Sequence, residues 1–225
     1  MKLLKKKYLH KKWARFWLKY SGLNPLGRFA TRLATLFSPP YKARTYMASL
    51  SSQGYISPKA SIFHNDLNFG KNIFIGDGVT IYQLKGSGTV TIGDRSYLHR
   101  DTIIETGFGG NLNIKDDTHI QPRCQFSAYL GDINIGSGVQ IAPSCAFYPY
   151  NHSFDPGRQI KDQSLQTQGG IFIDDNVWLG FGVIVLDGVN IGKGAVIGAG
   201  SVVNHDIPQG AVAAGVPARV LKTED

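Results

Sequence analysis

The fold is decided by the stretch "IFIDDNVWLGFGVIVLDGVNIGKGAVIGAGSVVNHDI", residues 171–207, because its branched aliphatic residues recur at a fixed interval. An amphipathic helix would repeat every three or four residues and a half-buried strand every two, so a period of six fits neither. The period predicts a parallel β-helix, in which three short strands and three tight corners make a coil of about eighteen residues. The aliphatic positions are Ile173, Leu179, Val185, Ile191, Ile197 and Val203, each followed four residues later by Val177, Val183, Val189, Ala195, Ser201 and Ile207.

The same unit occurs earlier in the chain, in shifted frames. It starts at Ile75 ("IGDGVT"), Ile92 ("IGDRSY"), Ile114 ("IKDDTHIQPRCQ") and Ile135 ("IGSGVQIAPSCA"). The repeat therefore covers roughly residues 62–207, and each coil can bury its apolar face only against its neighbours.

The two cysteines fall within this repeat. Cys124 and Cys145 both occupy the small position that follows the aliphatic one. The repeat therefore predicts two inward-facing small hydrophobic residues. A disulfide is not predicted, and a reducing compartment is the simpler expectation.

Charge is distributed unevenly along the 225 residues, whose formal net charge is +8. Residues 1–44 contain twelve Lys or Arg and no acid, whereas the remaining chain has twelve bases and all 16 acids. The sequence predicts a mildly acidic body with a basic N-terminal arm. The arm lacks the apolar region and cleavage site of a signal peptide. The sequence contains no stretch of about 18 apolar residues, so no membrane-spanning helix is predicted. A cytoplasmic protein is expected.

The basic arm also carries aromatic and aliphatic residues, which predict two amphipathic helices near residues 3–20 and 25–37. The arm could cap the first coil, or bind anionic lipid at the inner face of a membrane. A third interpretation is that the arm binds nucleic acid. Because the body is acidic and the sequence contains no nucleic-acid recognition motif, nucleic acid is not the predicted partner. The apolar residues are Trp13, Phe16, Trp17, Leu18, Phe29, Leu33 and Leu36.

The repeat is interrupted once, at "YPYNHSFDPG", residues 148–157. The distance from Phe147 to Ile173 leaves one inserted loop, near residues 149–170. Long loops on rigid scaffolds are more often functional than decorative. We therefore expect a partly helical extension at 1–50, a β-helix domain at 51–210 that carries this loop, and a tail at 211–225.

The loop "NH" and the downstream block "GGIFIDDNVWLGFGVIVLDGVNIGKGAVIGAGSVVNHDIPQGAVAAGVPARVLK" resemble the hexapeptide-repeat acyltransferases. The resemblance covers about residues 135–222 and is to the galactoside and maltose O-acetyltransferase branch, most closely to acetyltransferases of polysaccharide biosynthesis. It implies an all-β, left-handed parallel β-helix that uses acetyl-CoA. It also implies a homotrimer with active sites between subunits.

The resemblance implies that His152 is the general base. An alcohol must lose its proton as it attacks the thioester, and a neutral imidazole suits this role near pH 7. Asp155 or a backbone carbonyl could orient the imidazole. The amide of Phe181 is the implied donor to the developing oxyanion.

The coenzyme site is likewise implied by the resemblance. Trp178, Gly180 and Phe181 correspond to positions beside the pantetheine arm, as do Ala199 and Gly200. The remaining positions, nearer the nucleotide, are Asn204, His205 and Arg219, and an arginine there suits phosphates. Phe181 stands where relatives often have Ser or Ala, and His205 where they often have Lys.

Acceptor contacts are expected from Gln125, Tyr150 and Asn151, and the expected acceptor is a hydroxyl of a sugar or glycan. An N-acetyltransferase acting on an amino sugar is the alternative enzyme, and a catalytically silent scaffold subunit is the non-enzymatic one. A zinc lyase of the same fold would need two histidines about five residues apart. The six histidines, at 10, 64, 99, 119, 152 and 205, offer no such pair, so no metal is predicted.

Overall fold

The computed structural model describes residues 2–86 and 88–223, with side chains from Leu9 onward. Three parallel sheets form the sides of a prism, and the chain visits them in turn to complete seven coils. Two α-helices, α1 (Lys2–Leu18) and α2 (Pro25–Ala34), and a 3₁₀ helix (Tyr41–Leu50) precede the first coil. The all-β parallel β-helix predicted from the period of six is confirmed, and so is the short helical extension predicted from the pattern of the arm.

The strands of the three sides are short. Sheet A contains β1 (Tyr55–Ile56), β4 (Phe74–Ile75), β7 (Tyr97–Leu98), β10 (His119–Ile120), β13 (Gln140–Ile141), β18 (Trp178–Leu179), β21 (Val196–Ile197), β23 (Ala211–Gly215) and β24 (Ala218–Thr223). Sheet B contains β2 (Ser61–Phe63), β5 (Thr80–Gln83), β8 (Ile103–Gly107), β11 (Gln125–Tyr129), β14 (Ala146–Tyr148), β19 (Ile184–Leu186) and β22 (Val202–Val203). Sheet C contains β3 (Leu67–Phe69), β6 (Val90–Ile92), β9 (Leu112–Ile114), β12 (Ile133–Ile135), β17 (Ile171–Ile173) and β20 (Asn190–Ile191).

The coils differ in length between the two ends of the molecule. Near the C-terminal end Trp178 pairs with Val196, eighteen residues later, as the repeat predicts. Near the N-terminal end Phe74 pairs with Tyr97, so the coil there is longer than predicted. The extra residues lie where the strands of sheet B lengthen, as in β8 and β11, and at the corner after them.

The core is the stack of inward-facing side chains at matching positions of successive coils. Phe126 and Phe147 stack with ring centroids 4.5 Å apart. Cys124 and Cys145 are buried free thiols, and each thiol donates to the carbonyl of Ala142 at 3.2 Å. Their predicted inward orientation is confirmed. Each coil contributes one layer of apolar side chains, which is buried against the layers of the adjacent coils, so each coil is stabilised by its neighbours.

The inserted loop leaves the ladder of sheets B and C unbroken. Phe147 pairs with Val185, and Ile135 pairs with Ile173, so the coils before and after the insertion stack directly. The loop folds outward as a two-stranded antiparallel hairpin, β15 (Asn151–His152) with β16 (Leu165–Gln166). A 3₁₀ turn (Ile160–Asp162) lies at its tip.

The N-terminal arm covers the first coil. The Asn24 side chain caps α2 by accepting a hydrogen bond from the Gly27 amide at 2.7 Å, and Trp13 Nε1 donates to the Leu33 carbonyl at 2.7 Å, which joins α1 to α2. The helix α2 ends at Ala34, before the predicted 37, because Pro39 and Pro40 follow closely and disfavour helix before them. A second apolar cluster joins arm and coil through Ala14, Leu18, Ala34, Met47, Ala48, Tyr55 and Phe74.

The other end of the prism is closed by the antiparallel pair β23–β24, in which Ala214 lies opposite Arg219. None of the helices that the structure describes is both long and apolar enough to cross a bilayer.

Candidate functional site

The inserted loop presents His152 to solvent. His152 lies in β15 opposite Leu165, and its side chain is exposed. The loop leaves the prism at the corner between sheets B and C, here called the B–C corner, after the fifth strand of sheet B. An exposed imidazole can accept a proton from a bound alcohol without first breaking a contact.

Both ends of this loop are held by Asp187, a residue that the sequence analysis did not single out. Its buried carboxylate accepts hydrogen bonds from the backbone amide of Gln168 at 2.6 Å and from the hydroxyl of Thr167 at 2.9 Å. It also accepts from the Asn151 side chain at 3.4 Å, directly beside His152. Asn151 therefore helps to fix the loop, in addition to the acceptor contact expected from the sequence.

Asp155 has other partners than the imidazole. Its carboxylate lies 3.8 Å from the Arg158 guanidinium. Its backbone amide donates to the Gln163 side-chain oxygen at 2.7 Å, and Gln163 donates back to the Asp155 carbonyl at 3.3 Å. Asp155 thus shapes the tip of the loop, and its described contacts do not include His152.

The expected coenzyme residues of the sixth and seventh coils meet at the corner between sheets A and B, here called the A–B corner. Trp178 and Phe181 are both 54% exposed, although both are large and apolar. A side chain at Gly180 would lie 2.6 Å from the Ala199 nitrogen, so glycine allows the two coils to approach. The Gly200 amide donates to the Phe181 carbonyl at 2.7 Å.

The amide of Phe181 differs from its neighbours at this corner. The amides of Gly180 and Gly182 donate to the carbonyls of Ile197 at 2.8 Å and Pro143 at 3.0 Å. Within the described chain, the Phe181 amide makes no such backbone hydrogen bond. The Ala199 amide, at the same corner of the next coil, likewise makes none. An amide without a backbone partner can donate to a ligand, as an oxyanion site requires.

Arg219 joins this corner, whereas Asn204 and His205 do not. Arg219 lies opposite Ala214 in the β23–β24 pair. The Ala214 side chain lies beside Gly198, which directly precedes Ala199 of the A–B corner. Asn204 and His205 follow β22 and therefore lie at the B–C corner, two coils beyond the His152 loop. Their side chains contact each other at 2.6 Å.

The predicted site residues thus form two groups on opposite edges of sheet B. Phe181 and Asp187 mark the two corners of one coil, and six residues of extended chain span at most about 20 Å. Reacting atoms must approach to about 3–3.5 Å. Within one chain, His152 and the A–B corner residues therefore lie at different corners of sheet B.

The outer face of sheet B lies between the two groups and carries the expected acceptor residues. The Gln125 side chain lies near the Tyr148 hydroxyl, and Tyr150 packs against Tyr148 and Tyr129 with ring centroids 6.2 and 5.4 Å apart. Aromatic faces beside amide groups are suited to apolar and polar faces of a sugar ring.

Three further residues on this face were missed by the sequence analysis. The Tyr82 hydroxyl donates to the Glu105 carboxylate, and this hydrogen bond raises the pKa of Tyr82 to about 12. The Ser127 hydroxyl lies 3.5 Å from the other Glu105 oxygen and is buried. Outward-facing side chains of β-helix strands do not follow the six-residue repeat. Tyr82, Glu105 and Ser127 therefore come together only through the register of β5, β8 and β11 in the folded sheet.

Among the residues that the structure describes, no three His, Cys, Asp or Glu side chains are grouped as a metal site would require.

Comparison with known proteins agrees with this fold. The family "Bacterial transferase hexapeptide (six repeats)" matches residues 170–205. Galactoside O-acetyltransferase of Lactococcus lactis is 51% identical over 63 residues, which are 28% of this chain and 30% of the relative. The first curated relatives are matched over no more than 37% of their own length.

Solved structures extend the similarity to most of the β-helix. The polySia specific acetyltransferase NeuO superposes with a TM-score of 0.61 at 24% identity, covering 73% of this chain and 70% of that one. AntD, an N-acyltransferase from Bacillus cereus in complex with dTDP and coenzyme A, gives 0.50 at 19% identity over 83% and 92% of the two chains. The predicted resemblance is thus confirmed: residues 170–205 are hexapeptide repeats of the bacterial transferase type, set in the β-helix fold of these solved acyltransferases.

Proposed function

We propose that the protein is an acetyl-CoA-dependent O-acetyltransferase whose acceptor is a hydroxyl of a sugar or glycan. The observation that carries this proposal is the exposed His152 on a loop anchored to the β-helix, together with the available Phe181 amide at the A–B corner. The relatives with this repeat are named acetyltransferases, and one of them acts on galactosides. Coenzyme A is the ligand named for AntD, which shares the fold.

In this proposal His152 accepts the proton of the acceptor hydroxyl as its oxygen attacks the acetyl carbonyl. The thioester supplies an already activated acyl group, so a covalent enzyme intermediate is not needed. The Phe181 amide donates to the carbonyl oxygen as negative charge develops on it, an interaction that strengthens in the transition state. His152, then protonated, returns its proton to the departing thiolate.

The donor would lie along the A–B corner. Trp178 and Phe181 offer exposed apolar surface to the pantetheine arm. Gly180 keeps Ala199 and Gly200 close, which leaves a smooth wall of backbone there. Arg219 suits the phosphates at the far end, since its guanidinium offers several N–H donors.

The separation of the two groups supports an assembly in which neighbouring copies complete each other's sites. His152 of one subunit would meet the A–B corner of the next. Such an interface is heterologous, and it closes into a ring only when every copy repeats it. The resemblance to the hexapeptide-repeat acyltransferases implies that this ring is a homotrimer, and the exposed Trp178, Phe181 and Ile184 would be covered in it.

The acceptor would lie on sheet B, beneath the loop. Gln125, Tyr150 and Asn151 surround this region, and Tyr148 and Glu105 extend it. N-acetylation of an amino sugar is the second candidate, since AntD is an N-acyltransferase with the same fold. A silent scaffold subunit is disfavoured by the anchored loop.

We also infer a place for the enzyme, in the cytoplasm and against an anionic membrane surface. The helix α2 buries one face, yet its opposite face exposes Leu26 by 81%, Phe29 by 58% and, just beyond its end, Leu36 by 63%. The same arm carries exposed bases, including Arg15 on α1 and Arg32 on α2. Apolar residues beside bases, without acids, complement anionic lipid headgroups.

The deciding test of the reaction is acetyl-CoA consumption, measured as free thiol release, with a panel of sugars, glycosides and amino sugars. Wild type, His152→Ala and Lys161→Ala would be compared, since Lys161 is exposed on the same loop. We expect a loss of about 10²-fold or more for His152→Ala only, typical of a general base. Unchanged turnover of His152→Ala on a working acceptor would refute the assignment.

A further inference from the structure

A cavity of about 440 Å³ lies where the N-terminal arm meets the first three coils, away from the His152 loop. Its walls come from the 3₁₀ helix of the arm, through Tyr41 and Arg44, and from the A–B corners of the coils, through Asp77 and His99. This volume is in the range of small-molecule binding sites. The cavity, here called the cap cavity, has no part in the reaction proposed above.

The cap cavity is lined by buried polar atoms that lack partners. Arg44 Nε, Tyr55 Oη and His99 Nδ1 are all buried, and none of them hydrogen-bonds within the described structure. Tyr55 is 0% exposed and His99 is 4% exposed. The Tyr55 hydroxyl lies beside Ser57 and Arg44. Buried polar groups are nearly always satisfied, and the unpartnered Arg44 Nε and His99 Nδ1 at one cavity therefore favour a polar ligand.

The charges around the cap cavity favour an anion. Arg44 lies 3.6 Å and Lys59 3.9 Å from Asp77, and Arg100 lies 2.8 Å from Asp101. Asp77 also accepts from the Ser57 hydroxyl at 2.6 Å. Three cations thus face two carboxylates, so one positive charge is left over. Arginine and tyrosine donors are the groups that bind carboxylate or phosphate oxygens.

The other walls are aromatic. Tyr41 and Phe74 line the cavity and pack against the His99 ring, with centroids 6.2 and 5.5 Å from it. Aromatic faces beside polar groups suit a sugar ring better than a bare inorganic ion.

The cap cavity opens along the A–B corner toward the proposed site of acetyl transfer. A second cavity of about 360 Å³ shares Tyr41 and Arg100 with it and extends to Pro143. The Pro143 carbonyl accepts from the amide of Gly182, the residue after Phe181. Three coil steps separate His99 from Phe181 along this edge, which corresponds to about 15 Å.

We propose that the cap cavity binds an anionic sugar, a unit of the acceptor glycan that carries a carboxylate or a phosphate. The binding of an anionic sugar follows from the cavity alone, and its identity as part of the acceptor rests on the proposed function. Recognition at this distance would hold one unit of a long acceptor in the cap cavity while a different sugar unit reacts on sheet B.

The test is calorimetric titration of the full-length protein with glucuronate, glucose 6-phosphate, glucose and inorganic phosphate. We expect saturable binding of glucuronate or glucose 6-phosphate, at least about tenfold tighter than that of glucose or phosphate. The better of the two anionic sugars identifies the charged group. Equal binding of glucose, tighter binding of phosphate alone, or no binding would overturn the proposal.

Variants locate the binding. Arg44→Gln and Tyr55→Phe should each weaken it at least about tenfold, whereas Lys71→Gln, on an exposed side chain elsewhere, should not. Thermal unfolding checks that each variant is folded, and Tyr55→Phe keeps the ring if Arg44→Gln does not fold. His152→Ala should bind normally, so a failed acetyl-transfer assay leaves this test intact. Binding unaffected by both cavity variants would place the ligand elsewhere.

Discussion

The carboxylate of Asp187 accepts a hydrogen bond from the backbone amide of Gln168 at 2.6 Å, and the same oxygen lies 3.4 Å from the Asn151 side chain. One buried side chain on the sixth coil therefore ties together residues near the two ends of the loop that carries His152. The loop is long, but its base is fixed to the rigid β-helix.

The first prediction concerns this tie. Asp187→Asn replaces an acceptor-only group with one that also donates, so at least one loop contact should be lost. We expect kcat to fall by about ten- to a hundredfold, with a smaller change in KM, because a displaced base acts poorly. Steady-state kinetics measures this, and tryptic cleavage after Arg158 or Lys161 should accelerate. Asp155→Asn is the matched control, and an equal effect there would argue against a special role of Asp187.

The second prediction concerns the amide of Phe181. Phe181→Pro removes this N–H, whereas Phe181→Ala keeps it. We expect Phe181→Pro to lower kcat by about 10²–10³-fold, the usual cost of losing an oxyanion donor. Phe181→Ala should chiefly raise KM for acetyl-CoA. Equal kcat for the two variants would show that the amide does not contact the reacting oxygen.

The same variants test whether neighbouring copies share a site. Mixing unfolded His152→Ala and Phe181→Pro chains in equal amounts and refolding them together should restore about a quarter of the wild-type activity, because one interface in four would join two intact halves. No recovery, in mixtures that sedimentation shows to be assembled, would mean that each site lies within one chain.

The third prediction concerns pH. Burial, followed by the charge of Lys42, lowers the pKa of His99 from 6.5 to about 4. The unfolded chain then binds more protons than the folded one between these values, so the free energy of unfolding falls as pH falls from about 6.5 to 4. The loss is on the order of 3 kcal/mol, since one pKa unit corresponds to about 1.4 kcal/mol.

Chemical denaturation at a series of pH values between about 7.5 and 4 measures this loss. The series runs from above the ordinary histidine pKa of 6.5 down to the lowered pKa of His99, about 4. His99→Phe should flatten the dependence, because its ring can pack against Tyr41 and Phe74 without titrating. His205→Ala, at an exposed position, should leave the slope unchanged. A slope insensitive to His99→Phe would assign the pH dependence to other groups.

The fourth prediction concerns the basic arm. The full-length protein should sediment with vesicles that contain phosphatidylglycerol, but not with pure phosphatidylcholine vesicles. Leu26→Ser combined with Phe29→Ser should weaken this binding about tenfold or more, because the stripe no longer enters the interface. Phe154→Ser, an equally exposed apolar residue on the loop, is the control.

Two other outcomes would contradict the membrane assignment. If the double variant instead changes the mass measured by light scattering, the stripe contacts another copy of the chain. If the arm retards DNA as strongly as it binds vesicles, its charge alone explains the binding.

The fold was predictable because its signal is local and repeated. A six-residue period needs no long-range information, and Ile173 to Val203 display it without a gap. The inward orientation of Cys124 and Cys145 followed from the same frame. The longer coils near the N-terminus were not predicted, since the residues added after β8 and β11 point outward or turn a corner.

The site was only partly predictable. His152 is marked by the break in the repeat. Asp187 has no such mark in the sequence, because its contacts with the loop form only when the sixth coil packs beneath the loop. The pairing of Tyr82 with Glu105 depends on the register of sheet B. The cap cavity combines Arg44, Tyr55 and His99, which no motif connects, so only the folded arm brings them together.

The direct pairing of Phe147 with Val185 has a consequence for how such a protein can change. Since the coils stack as though the insertion were absent, the segment between them can lengthen, shorten or be exchanged without shifting the register of any strand. The scaffold and the inserted segment are therefore free to vary separately, and a transplanted loop that keeps its contact with Asp187 would change the proposed site on an unchanged prism.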